Sequence, residues 1–136
     1  HVYEVYKHAL ADGCAVETIK YHGTRTRKAT LKIDSCVCKV PQLFVYEKRK
    51  RRYDVVAVEN IMSKHNKNVS HYLFYRSRKD RFLCVPKSVL VSLKSPKSGN
   101  VRVCIPIGRP IQRHTIAYRL LEYVNTWPST EDSSSQ

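Results

Sequence analysis

Residues 43–58 read LFVYEKRKRRYDVVAV, and this stretch decides the fold that we expect. Apolar and aromatic residues fill both of its ends, which is typical of two β-strands at 43–47 and 53–58. Between them stands EKRKRRYD, in which five consecutive cations follow Glu47. The stretch therefore predicts a β-hairpin with a strongly charged tip.

Similar patterns extend outward from this hairpin in both directions. Alternating apolar residues predict further strands at 15–21, 28–34 with a continuation to residue 40, 69–75, 81–85 and 101–107. Apolar residues at helical spacing predict helices at 2–10, 59–66 and 111–126, while 88–93 fits a strand or a helical turn. The chain is thus expected to be an α+β protein, a small barrel-like β domain with short helices and a longer C-terminal helix.

The composition is strongly basic, with 25 Lys and Arg against 11 Asp and Glu and a formal net charge of +14. Such a charge attracts polyanions and speeds their capture, so nucleic acid is the first expected partner. The longest apolar runs, such as YLFY at 72–75, are too short to span a membrane, and no membrane partner is expected. The chain begins at His1 without Met or a visible signal peptide, which suggests a fragment cut from a larger protein.

The cysteine pattern argues against a cross-linked or zinc-bound domain. The odd count of five and the lack of a C-x-x-C motif favour neither a disulfide framework nor a zinc finger. Buried free thiols in a reducing compartment are the simpler interpretation, so we expect a cytoplasmic or nuclear protein. The six histidines show no ligand spacing, and we expect neither a metal nor a cofactor.

Three basic clusters are candidates for contacts with phosphate. They are Arg25, Arg27 and Lys28; Lys48 to Arg52; and Arg76, Arg78, Lys79 and Arg81. Many aromatic residues lie close to them in the sequence, and aromatic rings stack on bases whatever the base sequence. We therefore predict a single-stranded RNA or DNA ligand whose backbone contacts Arg25, Arg49, Arg51, Arg52, Arg78 and Lys79.

Catalysis finds little support in the sequence. No nucleophile elbow, HExxH motif or glycine-rich phosphate loop occurs. Asp34, Glu47 and Arg49 faintly resemble the acidic pattern of metal-dependent nucleases, in which carboxylates hold Mg²⁺. Since Arg49 stands where Lys is expected and few acids lie nearby, we predict a domain without enzymatic activity and without catalytic residues.

Taken in order, these segments resemble the PAZ domain of the Argonaute and Piwi proteins, from about Lys20 to about Val124. Three stretches carry the resemblance: Tyr21-His22-Gly23 through Arg27-Lys28 into 29–33, PQLFVY at 41–46 followed by VENIMSKHN at 58–66, and FLCVPKSVL at 82–90. The helix expected at 111–126 resembles the linker helix that follows such domains. Ile61 and Cys84 stand where the family has tyrosines.

The resemblance implies an OB/SH3-like barrel with a β-hairpin–helix insert that closes over the 3′ end of a small guide RNA. His22, Arg27 and Lys28 would bind phosphate, and Phe44 would cover the terminal nucleotide. Lys64 and His65 would contact the terminal phosphate, with Val85 on the pocket floor. The implied partners are a small single-stranded RNA and the remainder of an Argonaute-like protein. The implied division is 1–94 as the RNA-binding domain, 95–127 as a linker strand and helix packed on it, and 128–136 as a disordered tail.

Three other interpretations remain open at this point. The first is a basic single-strand nucleic-acid binder of unrelated barrel fold. The second is a metal-dependent nuclease domain, and the third is a protein-interaction domain with an acidic partner. Substrates with and without a free 3′ end would separate the first of these from the 3′-end anchor.

Overall fold

The computed structural model describes residues 2–18, 30–41, 43–76 and 81–130, apart from the side chains of Arg76 and Arg81. Most of the regular secondary structure in this part of the chain is β-strand, with few and short helices. The predicted α+β class is therefore confirmed. None of the helices in these ranges is long and apolar enough to span a membrane.

Five strands form the larger sheet, in the order β1-β2-β3-β6-β7. They are β1 Val16–Thr18, β2 Thr30–Ile33, β3 Cys36–Lys39, β6 His71–Arg76 and β7 Arg81–Pro86. Neighbours in this sheet run antiparallel except β3 and β6, which are parallel. The hairpin predicted across residues 77–80 is confirmed by the pairing of β6 with β7.

The three-stranded sheet contains the hairpin predicted at residues 43–58. Its strands are β4 Phe44–Lys48, β5 Arg51–Val58 and β8 Val101–Pro106, all antiparallel and in the order β4-β5-β8. Within the described ranges, both sheets end in edge strands and no closed barrel is formed. The barrel part of the predicted architecture is thus not seen, because the strands divide into two separate sheets.

Three layers arise from these sheets and one helix. The predicted helix at 2–10 forms as α1, Val2–Ala11, which buries Val5 and Ala9 against one face of the five-stranded sheet. The opposite face of that sheet packs through Tyr72 and Phe74 against β5 and β8 of the three-stranded sheet. Strand β6 alternates between the two cores, which explains why YLFY is apolar at every position.

The structure corrects two of the predicted helices. Only α3, Ile116–Arg119, and a 3₁₀ turn, Leu121–Tyr123, form in the segment 111–126. Thr115 caps α3 by accepting a hydrogen bond from the backbone N–H of Tyr118, and Val124 leaves the helical path to bridge Leu83 of β7. In 59–66 only Lys64–Asn66 is helical, again as a 3₁₀ turn.

Residues 88–93 are helical rather than a strand, since α2 spans Lys87–Ser92 and buries Leu90.

The buried Asn66 is hydrogen-bonded to lysines from two other segments of the chain. Its side-chain Oδ1 accepts a hydrogen bond from Lys39 Nζ at 2.8 Å, and its backbone oxygen accepts one from Lys87 Nζ at 2.6 Å. Burial also continues beyond the helix predicted at 111–126. Pro128 is buried, and Trp127 stacks on Phe82.

Candidate nucleic-acid interface

The hairpin β4–β5 projects from the core as a two-stranded ribbon. Every residue of β4 is exposed, and so are Arg51 and Arg52 at the start of β5. The rest of β5 from Asp54 onward is largely buried, because there it lies between β4 and β8. The five consecutive cations predicted at a hairpin tip therefore reach solvent.

The turn of this ribbon adopts an unfavourable backbone conformation. Arg49 and Lys50 have φ angles of 52° and 64°, in the left-handed region that Gly or Asn usually occupies in two-residue hairpin turns. For other residues this conformation costs about 1–2 kcal/mol each. The chain thus places two cations at positions where Gly or Asn would be more stable.

Cations and rings alternate across the outer face of the three-stranded sheet. Tyr46 pairs with Tyr53, their ring centroids 6.4 Å apart. The Arg102 guanidinium lies 5.9 Å from the ring centroid of Tyr46, and that of Arg109 lies 4.9 Å from the ring centroid of Tyr53. Such cation–π contacts hold both guanidinium groups on one face while leaving N–H donors at their edges.

Arg51, Arg102 and Arg109 line a single hollow of about 410 Å³, which we call the anion groove. Tyr53 forms part of its wall, and a hydrogen bond from Arg109 lowers the pKa of this phenol, with the charges of Arg109 and Arg51 acting in the same direction. No Asp or Glu is among the described residues that line the groove. Three guanidinium groups that line one hollow are suited to bind phosphate.

A second hollow of about 450 Å³ lies at the ribbon tip, lined by Lys48, Arg49, Arg51 and Tyr53. It shares Arg51 and Tyr53 with the anion groove. A strand crossing from one hollow to the other would meet cations along its whole path. We call the two hollows and the ribbon face between them the basic face.

The structure brings some of the predicted contact residues together and separates others. Arg49 and Arg51 lie on the basic face, and Phe44, which is 55% exposed, lies on β4 of the same sheet. Arg52 pairs with Glu47 in the strand register, one position along from Arg51, and so points to the opposite side of the ribbon.

The residues assigned to the end of the insert helix lie elsewhere. Lys64 and His65 are exposed in a 3₁₀ turn that follows the far end of β5, whereas the tip cations lie at its start. Val85 is fully buried in the core between the sheets, as is Ile61, and Cys84 is buried under α1. Burial explains why these three positions are apolar.

Six predicted contact residues lie outside the described part of the chain. They are His22, Arg25, Arg27, Lys28, Arg78 and Lys79. Their roles stay predictions.

Sequence reasoning missed Arg102 and Arg109. Arg102 had a signal, because VRVCIPI alternates and places Arg102 and Cys104 on the face opposite to the buried Val101, Val103 and Ile105. Arg109 had none, since it follows the strand in the segment GRP and reaches the groove through tertiary packing alone.

The acidic pattern considered for a nuclease does not form a site. Asp34 stands in the turn between β2 and β3, where its Oδ1 accepts a hydrogen bond from the Ala15 N–H at 2.8 Å. Glu47 lies on β4, in the other sheet. Among the described residues, no group of three or more His, Cys, Asp or Glu could hold a metal ion.

Similarity to known proteins is found among solved structures. No protein-family model and no curated protein matches this chain. Among solved structures, the chain is similar to a bacterial homing endonuclease, I-Ssp6803I, with a TM-score of 0.53 and 17% sequence identity. The similarity covers 92% of this chain and 82% of the endonuclease chain.

This similarity corrects one sequence-based prediction. We expected a domain without enzymatic activity, and that prediction is contradicted because the chain shares its fold with an endonuclease. At 17% identity the likeness concerns the fold, so the roles of individual residues have to be argued from this chain's own geometry. The resemblance to PAZ domains stays a prediction.

Proposed function

We propose that this protein binds nucleic acid through the basic face of its three-stranded sheet. The observation that carries the proposal is the anion groove, where Arg51, Arg102 and Arg109 converge beside Tyr53. Phosphate oxygens would accept hydrogen bonds from the guanidinium edges, and bases would stack on exposed rings such as Phe44. The formal charge of +14 adds a long-range attraction.

Equilibrium titration of single variants tests this proposal. We expect Arg51→Gln and Arg102→Gln each to weaken binding to a short single strand by about tenfold, because each removes a charged hydrogen bond. The matched control is Lys7→Gln, which removes an exposed cation from α1, on the far side of the five-stranded sheet. Equal losses in all three variants would show attraction by net charge alone and would contradict a defined interface.

Anchoring of a guide RNA 3′ end, which the family resemblance implies, is a narrower form of this proposal. It requires a barrel and flap that enclose Phe44 together with residues outside the described part. Its test is whether Phe44→Ala weakens binding to RNA with a free 3′ overhang far more than binding to blunt duplex. Equal losses for both would leave the broader proposal in place and remove the narrower one.

Cleavage of nucleic acid is a second candidate, favoured by the fold shared with an endonuclease. On the face opposite α1, at the β1–β2 edge of the five-stranded sheet, stands the exposed Glu17, whose register partner on β2 is Lys32. Incubation of labelled duplex with Mg²⁺ tests the candidate. Cleavage lost in Glu17→Gln but kept in Asp34→Asn would place the chemistry on this face, and an uncut duplex would argue against it.

A further inference from the structure

Tyr53 stands where the two hollows of the basic face meet. Its side chain lines both the anion groove and the hollow at the ribbon tip, as does that of Arg51. The residue is partly buried, so the sheet holds its ring without covering it. A strand that crosses from one hollow to the other therefore passes this phenol.

Two guanidinium groups act on the Tyr53 hydroxyl. That of Arg109 lies over the ring, 4.9 Å from its centroid. A hydrogen bond from Arg109 is the main cause that lowers the pKa of the phenol, and the charges of Arg109 and Arg51 and a hydrogen bond from Arg51 act in the same direction. A lower pKa raises the fraction of phenolate at neutral pH, and the phenolate is the nucleophilic form of tyrosine.

Arg109 also carries a donor that its contact with Tyr53 does not use. Its Nη2 atom is buried and has no hydrogen-bond partner among the described residues. Arg102 adds a further guanidinium to the wall of the same groove. Such donors stabilise the charge that develops on the non-bridging oxygens of a phosphate when a nucleophile attacks it. The groove thus combines a nucleophile with the groups that stabilise a phosphoryl transition state.

We propose that Tyr53 attacks a phosphodiester of the bound strand and forms a covalent phosphotyrosine bond. This inference rests on the proposed function, because the strand has to lie on the basic face. The phenolic oxygen forms a bond to phosphorus while its proton passes to solvent, and the bond from phosphorus to the leaving sugar oxygen breaks. That oxygen takes up a proton from solvent and becomes a hydroxyl group at the new strand end.

The reaction class is breakage and joining of a nucleic-acid strand by transesterification. Attack of a strand-end hydroxyl on the phosphotyrosine reverses the first step, rejoins the strand and restores the phenol. No water is consumed, which distinguishes this chemistry from a hydrolytic cleavage. A single strand is the substrate, because exposed rings such as Phe44 stack on unpaired bases.

The test traps the covalent bond with two probes and the full chain. Each probe is a short labelled single strand in which sulfur replaces one bridging oxygen, the 5′ oxygen in one probe and the 3′ oxygen in the other. A thiolate leaves readily and rejoins poorly, so the phosphotyrosine accumulates. A denaturing gel measures the adduct, and mass spectrometry identifies the residue that carries it.

Three variants separate the chemistry of Tyr53 from its packing. Tyr53→Phe keeps the ring beneath Arg109 and removes the hydroxyl alone. Arg51→Gln removes one of the two cations that act on that hydroxyl. Tyr3→Phe is the matched control, because Tyr3 is an exposed tyrosine on α1 whose ring also carries a cation, the Nζ of Lys7 at 5.0 Å from its centroid.

We expect an adduct on Tyr53 with one of the two probes. Tyr53→Phe should form none although it still binds the strand. Arg51→Gln should form the adduct about tenfold more slowly even at saturating strand, because the phenolate loses a charged hydrogen bond. Tyr3→Phe should form it at the rate of the unmodified protein.

Two results would overturn the inference and leave the proposed function intact. One is the absence of any adduct from a protein that binds both probes, and the other is an adduct that persists in Tyr53→Phe. Failure of the unmodified protein to bind either probe would instead contradict the proposed function, and with it this inference.

Discussion

Cys104 is the residue whose chemistry reports most directly on the basic face. It is the exposed cysteine and lines the anion groove, whereas Cys14, Cys36, Cys38 and Cys84 are buried. Burial, helped by the nearby Asp34 and Asp12 carboxylates, raises the pKa of the Cys14 thiol to about 11, so it stays protonated and unreactive at neutral pH.

We therefore expect one thiol of the native protein to react quickly with a maleimide and all five to react after unfolding. Bound oligonucleotide should slow the fast reaction at least several-fold, because it covers the groove. Mass spectrometry of the labelled peptide identifies the site. Labelling of Cys104 at the same rate with and without saturating oligonucleotide would contradict the interface.

Tyr72 shows how a polar atom in the core affects stability. Its ring is fully buried between the sheets, its hydroxyl has no hydrogen-bond partner among the described residues, and burial raises its pKa to about 12. Removing an unsatisfied buried hydroxyl is favourable, so we expect Tyr72→Phe to raise the free energy of unfolding by about 1 kcal/mol.

Denaturant unfolding measures this change. Tyr75→Phe is the matched control, since Tyr75 is also buried but interacts with its neighbours, among them the His8 ring, which it meets edge-on. This variant should not stabilise the protein. A lower stability of Tyr72→Phe would show that its hydroxyl has a partner and would contradict the description of this core.

At the scale of the element, the ribbon β4–β5 combines a strained turn with a functional charge cluster. Replacing Arg49-Lys50 by Asn-Gly supplies the residues that a turn with two positive φ angles favours. We expect the free energy of unfolding to rise by about 1–2 kcal/mol, while affinity for nucleic acid falls because two tip cations are lost.

The control is Lys50→Gly, which relieves one strained position and keeps Arg49 in the tip hollow. It should recover part of the stability and lose less affinity than the double change. If Asn-Gly left affinity unchanged, the tip hollow would play no part in binding, and the strain in the turn would need another explanation.

The elements also show what the sequence could and could not predict. Alternation placed the hairpins β4–β5 and β6–β7, because their pairing is local and a short charged segment separates the two strands of each. The helical stripe at 111–126 was misleading. Ala117 and Leu120 do bury their side chains, but α3 ends at Arg119 and Val124 bridges Leu83 instead of continuing a helix.

At the scale of the whole molecule, the information missing from the sequence is non-local. The parallel pairing of β3 with β6 joins segments more than thirty residues apart, and no local pattern records it. The strands divide into two sheets, and the outer face of the smaller one is open. The anion groove depends on this arrangement, since Arg109 reaches Arg51 only because β8 pairs with β5.

The central claim is that Arg51, Arg102 and Arg109 bind phosphates of a nucleic-acid strand in one groove. The most direct test is the salt dependence of binding, measured for the unmodified protein and for the variant that carries Arg51→Gln, Arg102→Gln and Arg109→Gln. Each lost phosphate contact lowers the slope of log affinity against log salt concentration by about 0.7–0.9. We predict a slope smaller by about 2 in the triple variant, and an unchanged slope would contradict the account.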